Sequence, residues 1–192
     1  MFGLSSGAVI ALEAARTLDR VTRAAVYEPP FYAEGISHDG IRQLNTDIEQ
    51  GDLGTALIGA LVTAGTAPAP IRALPRPVAR LLGRIVLSVD ARGRGPESRL
   101  RDLLPGVRYD FNAVAGMDGR MRILEALDKP VLLLNGTASP AFLQQATDAL
   151  QTILPDARRI VLDGLGHDGP WNRSRGGSPE VVAAALREFF TH

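Results

Sequence analysis

Gly3-Leu4-Ser5-Ser6-Gly7 is the stretch on which the reading of this chain turns. It matches G-x-S-x-G, a pattern in which a buried strand turns sharply into a helix and leaves a serine at the apex, its hydroxyl exposed. Glycines two residues either side of Ser5 are expected because side chains there would clash in so tight a turn. The segment that follows, Ala8-Val9-Ile10-Ala11-Leu12-Glu13-Ala14-Ala15-Arg16, is built of good helix formers without proline. Val9 and Leu12 share one face, and Glu13 and Arg16 point outward. That helix argues against a flexible Ser/Gly terminus.

Three β-rich runs lie downstream: Ala24-Ala25-Val26-Tyr27, Val131-Leu132-Leu133-Leu134 and Ile160-Val161-Leu162. Each is continuously apolar, as expected of a parallel strand covered on both faces. Each ends in turn formers, respectively Glu28-Pro29-Pro30, Asn135-Gly136 and Asp163-Gly164. Residues 140–154 read as a helix with Leu143, Ala146 and Leu150 on one side. Ser178-Pro179-Glu180 reads as an N-cap followed by proline at the first helical position. Val182, Leu186 and Phe189 then recur at helical spacing. Strand–helix alternation of this kind predicts an α/β fold with a mostly parallel sheet and flanking helices.

Residues 31–128 follow another pattern. Helical periodicities at Ile41-Leu44-Ile48, Leu53-Leu57-Leu61 and Val78-Leu81-Leu82-Ile85 are broken by Pro68, Pro70, Pro75 and Pro77. Arg92-Gly93-Arg94-Gly95-Pro96 reads as an exposed loop. The expected organisation is a core of residues 1–30 and 129–192, with a helical lid inserted over 31–128.

His167, in Gly164-Leu165-Gly166-His167, lies just past a strand end, at the sheet edge where α/β proteins bind ligands. The other two histidines are His38, within the insertion, and His192, the last residue. His167 is therefore the expected general base, paired with Ser5 at the same edge.

These motifs resemble the C-terminal two-thirds of an α/β-hydrolase. The resemblance is carried by Phe2-Gly3-Leu4-Ser5-Ser6-Gly7-Ala8, Tyr27-Glu28-Pro29-Pro30-Phe31, Lys129 to Gly136, Leu162-Asp163-Gly164-Leu165-Gly166-His167 and the final helix ending Phe189-Phe190. It implies a serine hydrolase acting through an acyl-enzyme on an ester, thioester or related acyl bond of a small apolar molecule. Ser5 would be the nucleophile, His167 the base, and the Ser6 N–H one oxyanion donor. No metal or organic cofactor is implied.

Two departures from the family pattern set expectations. The usual acid position, after the strand at 131–134, falls on Ser139, which carries no charge. Some members place the acid after the preceding strand, which here is Glu28; Asp110 and Asp118 are the competing carboxylates, and Glu28 also reads as a hinge residue beside Pro29 and Pro30. The second departure is that the elbow begins two residues from Met1. The strands and the second oxyanion amide that precede it in the family are missing, which would cost on the order of a hundredfold in rate. Met1 is then an internal methionine or the chain a truncated core, unstable or inactive alone.

An alternative function is a degenerate, non-catalytic α/β-hydrolase-like binding protein. A nucleotide-binding α/β protein ranks third, since residues 3–7 lack G-x-G-x-x-G and no Walker lysine follows. The chain has 192 residues, 21 basic and 21 acidic, so charge argues for neither nucleic acid nor an anionic membrane as partner. The absence of cysteine excludes disulfides and thiolate chemistry. No apolar run is long enough to span a membrane, and no signal peptide is visible, so a cytoplasmic location is expected. A free sheet edge would permit a homodimer.

Overall fold

The computed structural model describes residues 1–93 and 98–191. Arg94, Gly95 and Pro96 of the expected loop lie outside the described residues, as does His192. The chain divides into two compact units, Met1–Gly35 with Gly116–His192, and Ile36–Ala115. Residues 31–35 and 116–128 thus group with the sheet rather than with the helical insertion.

The first unit is built on four parallel strands in the order β1-β2-β3-β4: Phe2–Leu4, Ala24–Tyr27, Val131–Gly136 and Ala157–Leu162. Its helices are α1 (Ser6–Thr17), α8 (Ala141–Ile153) and α9 (Pro179–Thr191). Apolar side chains alternate between the two faces of the sheet. Ala25, Tyr27, Leu132, Leu134 and Leu162 form one buried cluster with Val182 and Ala185 of α9. Ala24, Val26, Val131 and Leu133 are equally buried and face the other way. There α1 packs on β1 and β2, and α8 on β3 and β4. Burial of such side chains, each worth about 1.5–3 kcal/mol, is the main force fixing the register.

The expected helix after the elbow is present, with Glu13 and Arg16 paired on its outer side at 2.7 Å. Lys129, the sole lysine, donates to the carbonyls of Ala15 (2.7 Å) and Leu18 (2.9 Å). A cation thus satisfies the terminal carbonyls at the negative end of α1.

Coverage on both faces holds for β2 and β3, which are buried throughout, but not for β4. As an edge strand it starts earlier than its apolar run, at Ala157, and leaves Val161 47% exposed. Its Arg158 and Arg159 pair with Glu188 and Asp148. Charged residues on an edge discourage further strand pairing.

The second unit contains α2 (His38–Glu49), α3 (Leu53–Thr63), α4 (Ala69–Arg72), α5 (Arg76–Ala91), α6 (Leu100–Leu103) and most of α7 (Val107–Gly116). The Ser37 hydroxyl caps α2 by accepting from Gly40 N at 3.1 Å. From α5, Arg76 reaches Asp47 and Arg80 reaches Asp52, both at 2.5 Å. The prolines stand where the periodicity breaks, with Pro75 as the N-cap residue of α5. Among the described residues no helix is long and apolar enough to cross a membrane.

Candidate active site

Parallel pairing puts Leu4 beside Tyr27 and Tyr27 beside Leu134. Ser5 and Glu28 therefore leave adjacent strands at the same level, at the C-terminal edge of the sheet. Ser5 N donates to the Tyr27 carbonyl (2.9 Å), and Glu28 N to that of Leu134 (2.9 Å). His167 arrives from the loop after β4.

Ser5 has φ 54° and ψ −124°, and although it is the N-cap of α1 its side chain makes no capping bond. A serine at this position ordinarily turns its hydroxyl onto the first helical turn; here the backbone geometry releases the hydroxyl from that role. Ser6 is the first residue of α1, so its N–H lies at the positive end of the helix, where developing negative charge is stabilised.

The two glycines of the elbow are not equivalent. A Cβ on Gly3 would lie 2.2 Å from the Gly7 carbonyl oxygen, whereas one on Gly7 would meet nothing within 4 Å. The expected clash therefore applies only to Gly3, because the Gly7 Cα is directed into open space. Gly3→Ala is expected to cost about 2–3 kcal/mol through forced backbone displacement. Gly7→Ala should gain about 0.5–1 kcal/mol from helix propensity. Thermal melts of the two variants should thus move in opposite directions.

The Glu28 carboxylate is fully buried and surrounded by donors. Oε2 accepts from His167 Nδ1 at 2.7 Å. Oε1 accepts from the Gly136 N–H at 3.1 Å and from the Ser139 hydroxyl. A buried carboxylate without such partners would be strongly disfavoured. A proton on His167 Nδ1 directed at Glu28 leaves Nε2 as the ring's basic nitrogen. The His167 side chain is 27% exposed, so the ring remains accessible.

Of the three carboxylates left open by the sequence, the histidine's partner is Glu28. Asp110 lies on α7 in the helical unit, and the Asp118 carboxylate lies near Gly35. Ser139, at the position where the family usually carries its acid, hydrogen bonds to Glu28 instead.

Several residues that position this edge were not singled out in the sequence. Tyr27 donates its hydroxyl to the Gly166 carbonyl at 2.7 Å. Burial, reinforced by the charges of Glu28 and Asp168, pushes its phenol pKa upward, so it remains a donor. Thr137 accepts from Gly164 N (2.8 Å) through its hydroxyl. A Cβ on Gly136 would lie 1.8 Å from the Leu165 carbonyl oxygen, so only glycine lets the histidine loop close on β3. Tyr27 had read only as a strand residue; its polar reach, like that of Thr137, is a tertiary property.

No family profile matches the sequence, and no curated protein matches it. Solved structures do. An α/β hydrolase from Sphaerobacter thermophilus is similar over 98% of this chain and 66% of its own, with 24% identity and a TM-score of 0.65. The enol-lactonase from Burkholderia xenovorans matches over 100% and 65%, with 17% identity and a TM-score of 0.62. A thermophilic esterase from Thermogutta terrifontis matches over 99% and 63%, with 19% identity and a TM-score of 0.61. The chain has the α/β-hydrolase fold, and it spans about two thirds of the length of these structures.

Proposed function

We propose that the chain carries the nucleophile, acid and base of a serine hydrolase that cleaves an ester, thioester or related acyl bond of a small apolar molecule. The observation that carries this reading is the hydrogen bond from His167 Nδ1 to the buried Glu28, at the strand edge where Ser5 sits in a strained turn. In the proposed cycle, Ser5 Oγ attacks the carbonyl carbon while His167 Nε2 takes its proton. Glu28 holds the ring and stabilises the imidazolium. The Ser6 N–H helps hold the oxyanion, and His167 returns the proton to the leaving group. Water, deprotonated by His167, then releases the acid and regenerates Ser5.

The apolar substrate class follows the resemblance; a cavity of about 310 Å³ is lined by residues that include Phe31, Tyr32, Met121, Phe142 and Ala146 but not Ser5, Glu28 or His167. It lies along the segments that leave Glu28 and Ser139. The helical unit is proposed to act as a lid.

Fluorophosphonate labelling with peptide mass mapping tests the reading. Labelling at Ser5, lost in His167→Ala, is the expected result. A folded chain that does not label at Ser5 would favour the non-catalytic binding protein.

A further inference from the structure

The turn between β3 and α8 is attached to both the acid and the histidine loop. On one side, Gly136 N–H and Ser139 O–H both donate to Glu28 Oε1. On the other, Thr137 N donates to Leu162 O (3.0 Å) and Ala138 N to Leu165 O (2.9 Å). The Thr137 hydroxyl accepts from Gly164 N (2.8 Å) and donates to Asp163 Oδ1 (3.2 Å). The turn is itself closed by Ser139 N on the Gly136 carbonyl and by Gln144 Nε2 on the Ser139 carbonyl. Ser139 is 6% exposed, so solvent offers its hydroxyl little alternative.

We propose that Ser139 is a positioning residue: its hydroxyl, together with the Gly136 N–H, holds one oxygen of Glu28 so that the other faces His167. This rests on the serine-hydrolase reading for its consequence in catalysis, but not for its geometry. A glutamate has three side-chain torsions, and a single bond to a histidine ring does not fix them. Two donors on Oε1, mounted on a turn anchored to the histidine loop, place the carboxylate relative to His167 and not merely relative to its own strand. Hydrogen bonds to a charged acceptor are also the stronger ones, so removing one is felt.

The test compares Ser139→Ala with Ser139→Thr, which keeps the hydroxyl, and reads two signals. One is the downfield proton NMR resonance of His167 Nδ1–H, assigned by its loss in His167→Gln. The other is the rate of Ser5 labelling by a fluorophosphonate. Ser139→Ala is expected to broaden or abolish the resonance and slow labelling about tenfold, while Ser139→Thr keeps both near wild type. If the threonine methyl prevents folding, Ser139→Cys, a weaker donor of similar size, should fall between serine and alanine. An unchanged resonance and labelling rate in Ser139→Ala would overturn the proposal, as would equal losses in the alanine and hydroxyl-retaining variants. Because the resonance requires no reaction at Ser5, a wild type that shows it without labelling would defeat the hydrolase reading alone.

Discussion

Ser5→Ala is expected to lower kcat for a small p-nitrophenyl ester by on the order of 10⁶-fold, with KM little changed. Removing the nucleophile of such a group of residues costs about as much as removing all of them, because they act as a unit. The same position makes a second, less usual prediction. Ser5 has φ 54°, in the left-handed region where residues other than glycine are held at a cost of about 1–3 kcal/mol. Ser5→Gly should relieve that strain, offset by up to about 1 kcal/mol of extra chain entropy. It should therefore be as inactive as the alanine variant yet melt roughly 2–4 °C above wild type. Kinetics beside differential scanning calorimetry on both variants would check the pair. Activity within tenfold of wild type in Ser5→Ala would exclude Ser5 as nucleophile.

Strain also bears on how the site could be read. Among the described residues, Ser5 and Glu28 are the only non-glycine positions with positive φ, at 54° and 49°. Both were candidates from sequence, one from a motif and the other from its place after β2. The motif already implied a tight turn at Ser5, whereas the argument for Glu28 did not involve backbone conformation, so the dihedral angle of Glu28 is the independent support. Outliers of this kind persist where surrounding structure over-determines them. At Ser5 the constraints are the strand–helix turn and the bond to Tyr27; at Glu28 they are the bond to Leu134 and three donors to its carboxylate, two of them side chains and one the Gly136 N–H.

The fold was legible wherever one residue type implied one environment. The apolar runs at 24–27 and 131–134 could be satisfied only as interior strands. The period at Leu143, Ala146 and Leu150 could be satisfied only by a helix packed on one side. Legibility failed at β4, where Ala157, Arg158 and Arg159 are strand residues by virtue of pairing with β3, and nothing local marks them. It also failed at Asn135, which reads as a turn former but is buried in β3 and held by Arg159 Nε at 3.0 Å. In both cases the deciding interaction is with a residue more than twenty positions away.

At the site, the chemistry was readable but the wiring was not. Sequence supplied a serine, a histidine and three carboxylates. What selected Glu28 was register: Tyr27 level with Leu4 and Leu134 puts the next residue of β2 between Ser5 and the β3 turn. Ser139 looked like a missing charge because its contribution depends on Glu28 being beside it.

Glu28→Gln isolates that wiring, and is expected to lower kcat by about 10³–10⁴-fold with the thermal midpoint moving only a few degrees. The amide is nearly isosteric with the carboxylate. Its oxygen can take the place of Oε1 and still accept from Gly136 N–H and the Ser139 hydroxyl. Its NH₂ then faces His167 Nδ1, which must become an acceptor, so the ring proton moves to Nε2. The nitrogen required as general base no longer has a lone pair, and a wrong tautomer of this kind costs about 10⁴-fold in a serine triad. The loss should fall on kcat, because the substrate is bound by groups the change leaves in place. Glu28→Ala would be a poorer test. It strands buried donors at about 1–3 kcal/mol each, mixing unfolding with chemistry. If Asp110 or Asp118 were the working acid, Glu28→Gln would retain most of the activity. The comparison therefore decides among the three carboxylates, with folding held constant, and a proton resonance on Nε2 in place of Nδ1 would identify the tautomer as the cause.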